Sequence, residues 1–167
     1  MQGFFNVLMV GRYAGEKRQD ELIAACTKCR HAKEIQVILA GRGPLEKKYR
    51  RLAEKLPNPI VMSFYEPARL LEILHMADLY VHTSDAEIEA MSCMEAFACG
   101  LVPVIADSPR SATPQFALDE RSLFPAGDTD VLAERIDWWL EHPEERREME
   151  LRYAEHAKQY TLEHSIQ

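Results

Sequence analysis

The chain has 167 residues, of which 47% are hydrophobic and 28% are charged, a composition typical of one globular domain. Its formal net charge is -7, which argues against non-specific binding to nucleic acid and against adhesion to an anionic membrane through overall charge. No apolar run reaches the roughly 18 residues of a membrane span, and no signal peptide precedes the first predicted strand. We therefore expect a cytoplasmic protein.

Strand-like and helix-like segments alternate along the whole chain. Short apolar runs predict strands at 4–10, 35–40, 60–64, 79–82, 102–106 and 123–124. Amphipathic stretches predict helices at 20–29, 45–56, 68–76, 91–99, 129–140 and 144–160. This alternation predicts an α/β fold, a Rossmann-like parallel sheet of about six strands with helices on both faces. Residues 1–167 are expected to form one domain.

Three loops after predicted strands hold candidate ligand-binding residues. Gly11 and Arg12 follow the first strand, with Lys17 further along the same loop. Arg can grip a diphosphate through two hydrogen bonds and Lys adds a point charge, although two solvated cations would look the same. Gly41 either lets the backbone approach a ligand or forms a plain tight turn. Tyr65 either lines a base pocket or packs against its neighbours.

Glu95 is a carboxylate on the predicted apolar face of a helix, because Met91, Ala98 and Cys99 share its face at three- and four-residue spacing. A buried charge needs a partner. Ser92 and Glu95 have the spacing of a capping box, in which the carboxylate reaches back to a backbone amide. In the alternative, Glu95 lies at the mouth of a cleft and accepts hydrogen bonds from a ligand's hydroxyls.

This part of the chain resembles the signature of retaining glycosyltransferases with the GT-B fold, the group 1 family. Glu87 precedes Glu95 with seven residues between them, and Ala-Phe-Ala-Cys-Gly-Leu-Val-Pro-Val-Ile follows. The family usually shows Glu-Ala-Met-Ala-x-Gly-x-Pro-Val-Ile at its second glutamate. At the first glutamate the family has Gly-Phe-Gly, where this chain has Ile88, Glu89 and Ala90. Since glycine permits backbone approaches that other residues do not, this departure alters how these amides would meet a donor.

The resemblance implies the C-terminal, nucleotide-sugar-binding half of a two-domain enzyme, whose N-terminal acceptor-binding domain is absent from this chain. It implies a hexosyltransferase that uses a donor such as UDP-glucose, retains configuration and needs no metal or permanently bound cofactor. The expected acceptor is a lipid or saccharide of the cell envelope. We expect no nucleic-acid partner, a chain that is inactive alone, and a full enzyme able to associate with the inner face of the membrane.

The resemblance also implies roles for single residues. Glu87 is the expected catalytic residue, beside the hydroxyls of the donor sugar. Glu95 is expected at the ribose hydroxyls, and Arg12 with Lys17 at the diphosphate. The predicted donor-binding residues are Gly11, Arg12, Lys17, Gly41, Tyr65, Ile88, Glu89, Ala90, Met91 and Glu95.

Two other classes of protein remain open from the sequence. A sugar-nucleotide 2-epimerase or a phosphorylase would share the bilobal fold, and a phosphorylase would need pyridoxal phosphate or a free phosphate site. A non-catalytic domain of the response-regulator type would share the alternation of strands and helices. That class needs an acidic cluster after the first strand, where this chain has Gly11 and Arg12.

Cys26 and Cys29 have the spacing of half a redox or zinc motif. They lie in a predicted helix, and no second pair stands at the spacing of a zinc ribbon. We interpret both as small apolar helix residues.

Overall fold

The computed structural model of the chain describes residues 3–84, 91–108 and 117–165. Within these residues, six strands form one parallel sheet in the order β3-β2-β1-β4-β5-β6. The strands are β1 Phe5–Val10, β2 Ile35–Ala40, β3 Val61–Ser63, β4 Leu79–His82, β5 Pro103–Asp107 and β6 Leu123–Pro125. The register pairs Val7 with both Val37 of β2 and Leu79 of β4, so β1 lies at the centre of the sheet.

Six α-helices connect or follow the strands in the described part of the chain. They are α1 Gln19–Lys28, α2 Glu46–Leu52, α3 Pro67–Met76, α4 Met91–Ala98, α5 Thr129–Glu141 and α6 Pro143–Ser165. Right-handed crossovers place α1 and α2 on one face of the sheet and α3 and α4 on the other. Because α5 packs on α1 and α6 packs on α4, each face is covered by three helices.

The core lies on both sides of the central strands. β2 and β4 are buried along their whole length, as expected for parallel strands that are covered on both faces. Trp139 of α5 is fully buried, and its indole N–H donates to the carbonyl oxygen of Arg121 at 3.0 Å. Ala96 and Phe97 bring α4 into the same core.

The predicted fold class is confirmed, and each predicted strand and helix has a counterpart. The predicted helix at 45–56 is shorter than expected, because α2 ends at Leu52 and the 3-10 turn Ala53–Lys55 follows. The amphipathic pattern of the helix at 68–76 predicts that Leu70, Leu71, Ile73 and Leu74 are buried, which is wrong for Leu71, since Leu71 is 50% exposed. Leu70, Ile73 and Leu74 form the apolar stripe of α3, and Leu71 lies at its margin, about 100° around the helix from Leu70.

Candidate functional site

A cavity of about 420 Å³ opens at the carboxyl ends of β1, β2 and β3. Gly11 and Arg12 line it from the loop after β1, Leu70 lines it from α3, and residues that follow β2 and β3 supply most of the remaining wall. Those residues are Gly41, Arg42, Gly43, Phe64 and Tyr65. The structure therefore brings together four of the predicted site residues: Gly11, Arg12, Gly41 and Tyr65.

A second hollow of about 480 Å³ adjoins this cavity and contains Glu95. The two share the wall formed by Phe64, Tyr65 and Leu70. The lining of the second hollow is mostly apolar and includes Ala98 and Cys99 of α4. Glu95 thus supplies a carboxylate at the edge of an apolar surface that continues into the cavity beside Arg12.

The prediction that Glu95 lies on the buried face of its helix was wrong. Glu95 and Ala98 are exposed, and α4 meets the core through Ala96 and Phe97. Helical spacing shows which residues share a face, but it does not show which face packs inward. The Glu95 face borders the open hollow, so its carboxylate is hydrated and available to a ligand.

Glycine at positions 41 and 43 lets two loops pack backbone to backbone. A Cβ at Gly41 would collide with the carbonyl oxygen of Gly11, and a Cβ at Gly43 would lie 2.7 Å from the carbonyl oxygen of Tyr13. A hydrogen bond from the Tyr13 N–H to the Arg42 carbonyl at 3.1 Å joins the same loops, and one from the Gly41 N–H to the Ser63 carbonyl at 2.9 Å joins the second loop to the end of β3. The cavity rim is therefore a rigid arrangement of backbone.

A buried set of side chains holds the backbone of Arg12 in place. Gln19 donates through Nε2 to the Arg12 carbonyl at 2.8 Å, and Tyr49 donates through its hydroxyl to Gln19 Oε1 at 3.0 Å. Burial raises the pKa of Tyr49 to about 12 and also raises the pKa of Tyr13. Both phenols keep their protons at neutral pH, and Tyr13 donates to the Leu39 carbonyl at 2.6 Å.

Lys17 lies in the 3-10 turn Gly15–Lys17, beside the cavity wall. A Cβ at Gly11 would lie 3.8 Å from Lys17 Cδ, so the lysine stem runs next to the loop that lines the cavity. Two buried hydroxyls hold this turn, because Thr83 Oγ1 donates to the Lys17 carbonyl at 2.7 Å and Ser84 Oγ to the Glu16 carbonyl at 3.1 Å. Sequence reasoning missed Thr83 and Ser84, although two hydroxyl residues directly after a buried strand were a usable signal.

The family model for group 1 glycosyl transferases matches residues 2–159. The chain belongs to this family. The sequence is also 30% identical over 149 residues to EpsD of Bacillus subtilis (strain 168), which is assigned by name to the glycosyltransferases. That match covers 83% of this chain and 39% of EpsD, so the chain spans about two fifths of the length of its relative. The predicted family is confirmed.

Solved structures of glycosyltransferases share the fold of this chain. The catalytic domain of cholesterol-alpha-glucosyltransferase from Helicobacter pylori is 48% identical, with a TM-score of 0.90 over 93% of this chain and 98% of that one. Anabaena Alr3699/HepE in complex with UDP is 21% identical, with a TM-score of 0.80 over 94% of this chain and 44% of that one. The second match shows the fold alone.

Several of the predicted site residues lie outside the described part of the structure. Glu87, Ile88, Glu89 and Ala90 fall between the described ranges, and Met91 is described only as the first residue of α4. Their roles in catalysis and donor binding stay predictions. The capping-box alternative for Glu95 also stays a prediction, because it needs the amides at the start of α4.

The cysteine pair lies away from the cavity, at the end of α1. Cys26 is buried in the helix, and Cys29 is the first residue after it; both are free thiols. Cys29 Sγ donates to the Ala133 carbonyl at 3.6 Å, and its hydrogen bond with Cys26 raises its pKa. Among the residues that the structure describes, no three His, Cys, Asp or Glu side chains come together as a metal site, and no helix has the length and apolarity to span a membrane.

Proposed function

We propose that this chain is the donor-binding half of a retaining glycosyltransferase that uses UDP-glucose. The observation that carries the proposal is the cavity in which Gly11, Arg12, Gly41 and Tyr65 meet at the carboxyl ends of three strands. Open α/β sheets bind ligands at this edge, where the strand order changes direction. In this sheet the strand order changes direction between β1 and β4. The Arg12 loop follows β1, and the segment that leads to α4 follows β4.

The cations beside the cavity suit a nucleoside diphosphate. Arg12 and Lys17 would neutralise the two phosphates and stabilise the diphosphate as it leaves the sugar, an electrostatic contribution to catalysis. Phe64 and Tyr65 offer aromatic faces to a base, and Arg42 already stacks over Phe64 at 4.2 Å from the ring centre. The complexes of HepE with UDP and with UDP-glucose support a uridine donor for this fold.

Two carboxylates complete the proposed donor site. The exposed carboxylate of Glu95 would accept hydrogen bonds from the ribose hydroxyls, because it borders the hollow that continues from the cavity. Glu87 would lie by the hydroxyls of the donor sugar. The backbone of residues 88–91 would approach the donor without the glycines that the family usually has there.

A lipid hydroxyl is the acceptor that the comparisons favour. The relative that is 48% identical is named a cholesterol-alpha-glucosyltransferase. Its name specifies an α-linked glucosyl product, and UDP-glucose is itself an α-glycoside, so such a reaction retains configuration. We propose the same donor, stereochemistry and acceptor class for the full enzyme, with a saccharide acceptor as the alternative.

The acceptor would be held by a separate N-terminal domain of the full enzyme. Much of the rate acceleration in such an enzyme comes from holding the acceptor hydroxyl near the anomeric carbon, and closure of two lobes excludes water. This chain alone should therefore bind UDP-glucose without transferring glucose. We place the full enzyme in the cytoplasm, at the inner face of the membrane, and propose that it needs no metal.

Calorimetric titration with UDP tests the donor site directly. We expect Arg12→Ala and Glu95→Ala each to weaken binding by about 1.5–3 kcal/mol, the usual contribution of a charged hydrogen-bond partner. Arg147→Ala and Glu155→Ala on α6 are matched controls, since both side chains are exposed and neither lines the cavity or the hollow that adjoins it. Unchanged UDP affinity with a lowered melting temperature in Glu95→Ala would instead support the capping role.

The acceptor class is tested with the full-length protein and radiolabelled UDP-glucose. Labelled glucolipid from cholesterol-containing vesicles, with an α linkage by NMR, is the expected product. Label appearing only in saccharide acceptors, or a β-linked product, would contradict the proposal. Labelled transfer by the 167-residue chain alone would show that the second domain is not required.

A further inference from the structure

The helix α2 and the turn after it concentrate positive charge in an acidic chain. Residues 46–55 contain five basic and two acidic side chains, a net charge of +3, whereas the whole chain carries -7. Lys47, Lys48, Arg51 and Lys55 are exposed, and we call these four residues the basic face. Three- and four-residue spacing places them on one side of the segment.

The opposite side of α2 is what holds the helix to the protein. Tyr49 is 1% exposed and Ala53 is 6% exposed. Arg50, the fifth cation, is engaged within the fold, through Glu46 at 3.4 Å and the Met62 carbonyl at 3.3 Å. In contrast, no cation of the basic face forms an ion pair with any residue in the described ranges.

The basic face is unfavourable for the isolated helix. Like charges four residues apart repel, and α2 has only seven residues over which to offset that repulsion. Packing of Tyr49 would hold the helix equally well with neutral side chains outside. An external anionic surface would turn the repulsion into attraction, and clusters of four or more Lys and Arg on an amphipathic helix suit anionic lipid headgroups.

We propose that the basic face of α2 docks on the surface of a membrane that contains anionic lipids. A hollow of about 370 Å³ opens on the adjoining side of the segment, where Arg50, Ala53 and Glu54 line it together with Leu56, Pro57, Pro59 and Ile60. The last four are apolar and closely follow Lys55 in the chain. Cations beside an apolar surface are typical of segments that lie at a membrane interface. Proteins that bind single-stranded nucleic acid add exposed aromatic rings for stacking, whereas the aromatic ring of α2 is buried.

Docking would bring the donor cavity close to the membrane. α2 begins two residues after Pro44, and the adjacent Gly43 lines the cavity. A lipid acceptor would then meet the donor near the bilayer surface. This consequence rests on the proposed function, but the docking surface itself does not.

Vesicle flotation with the 167-residue chain tests the surface. The vesicles contain phosphatidylcholine alone or with about 30 mol% phosphatidylglycerol, at about 50 mM and about 500 mM NaCl. We expect binding to the anionic vesicles at low salt, and loss of binding at high salt or without the anionic lipid. Each cation contributes roughly a fivefold increase in binding, so Lys47→Glu/Arg51→Glu should weaken it at least about 25-fold.

A matched double variant separates this surface from overall charge. Arg147→Glu/Lys158→Glu changes the net charge equally on α6, across the sheet from α2, and should leave vesicle binding within about twofold. Lys47→Gln/Arg51→Gln should give an intermediate loss, and unchanged circular dichroism should confirm that all variants fold. Calorimetry should show the same UDP affinity in every variant. Loss of UDP binding throughout would count against the proposed function and not against docking.

Several outcomes would overturn the docking proposal. The first is a wild-type chain that does not bind anionic vesicles at low salt. The second is an equal loss of vesicle binding in the two glutamate double variants. The third is wild-type binding that is as strong to vesicles without anionic lipid as to anionic vesicles. Tighter binding to single-stranded RNA than to anionic vesicles at the same salt would assign the basic face to a nucleic acid instead.

Discussion

The hydroxyl of Thr83 donates a hydrogen bond to the backbone carbonyl of Lys17, with 2.7 Å between Oγ1 and the carbonyl oxygen. Thr83 directly follows β4 and is fully buried. The chain continues from Thr83 toward Glu87, the residue proposed to bind the donor sugar. The bond therefore links the segment before Glu87 to the 3-10 turn that carries Lys17, a residue proposed to bind the diphosphate. Thr83 is therefore a positioning residue for Lys17.

Replacing Thr83 with Val should weaken UDP binding, because the shape is kept while the Lys17 carbonyl loses its donor. Leaving a buried polar group without a partner costs about 1–3 kcal/mol. Part of this cost should lower the free energy of unfolding, and part should weaken UDP binding because Lys17 shifts. Thr83→Ser keeps the hydroxyl and should restore UDP affinity. Calorimetry well below the melting temperature measures the effect. A lower melting temperature with unchanged UDP affinity would show that the bond supports only the fold.

Gly41→Ala should disturb both stability and donor binding. Its Cβ would collide with the carbonyl of Gly11, a backbone atom that cannot rotate away, so we expect a loss of about 1–3 kcal/mol by urea denaturation. Gly15→Ala is the matched control, since a Cβ there meets nothing within 4 Å. The interpretation of the rim as rigid backbone would be wrong if the two alanine variants unfolded at the same urea concentration and bound UDP equally.

The overall fold was predictable because its signals are local. β2 is apolar except for Gln36 and is fully buried, as a central parallel strand should be. The position of Gly41 after β2 indicated either a backbone that approaches a ligand closely or a tight turn. The reason that position 41 must be glycine is a contact with Gly11, thirty residues earlier, which no local pattern reveals.

The orientation of α4 was not predictable in the same way. Glu95, Ala98 and Cys99 do share a face, as their spacing indicates. Phe97 is the side chain that enters the core, where it packs on Tyr153 of α6 with ring centres 5.0 Å apart. Which face turns inward thus depends on a helix more than fifty residues away along the chain.

Stability should fall with rising pH through the titration of His31. His31 Nε2 lies 3.1 Å from Glu141 Oε2, and Nδ1 lies 3.3 Å from Glu34 Oε2. The hydrogen bond with Glu141 raises the pKa of His31, and the nearby carboxylates of Asp137 and Glu34 act in the same direction. The stabilisation is therefore complete below about pH 6.5, the value in an unfolded chain, and is lost as the pH rises through the folded pKa.

Glu141 sets the acid limit of the same interaction. Its hydrogen bond with His31, assisted by Arg30, lowers its pKa, so its contribution is present above about pH 4.5 and is lost as the pH falls through the folded pKa. The melting temperature of His31→Gln should differ most from wild type between about pH 4.5 and 6.5 and least near about pH 9. His75→Gln, an exposed histidine on α3, is the control. A pH-independent difference would show that His31 contributes packing and no charge.

Tyr153→Phe should destabilise the chain while leaving the donor site intact. The Tyr153 hydroxyl donates to Ser122 Oγ at 2.8 Å and accepts from the Leu118 N–H at 2.9 Å, so one atom joins α6 to the segment before β6. Burial raises the pKa of this phenol, which therefore stays protonated and able to donate at neutral pH.

Phenylalanine at position 153 would keep the ring contact with Phe97 but leave the Leu118 N–H without its acceptor, at a cost of about 1–3 kcal/mol. Differential scanning calorimetry should show the lower melting temperature. UDP affinity measured at 25 °C should match wild type, because Tyr153 packs on Phe97 at the core-facing side of α4, whereas Glu95 lies on the side that borders the hollow. Tyr65→Phe is the complementary control. Because Tyr65 lines the cavity, removing its hydroxyl should leave the melting temperature unchanged. A Tyr153→Phe variant with wild-type stability would mean that another group, such as water, replaces the hydroxyl at Leu118.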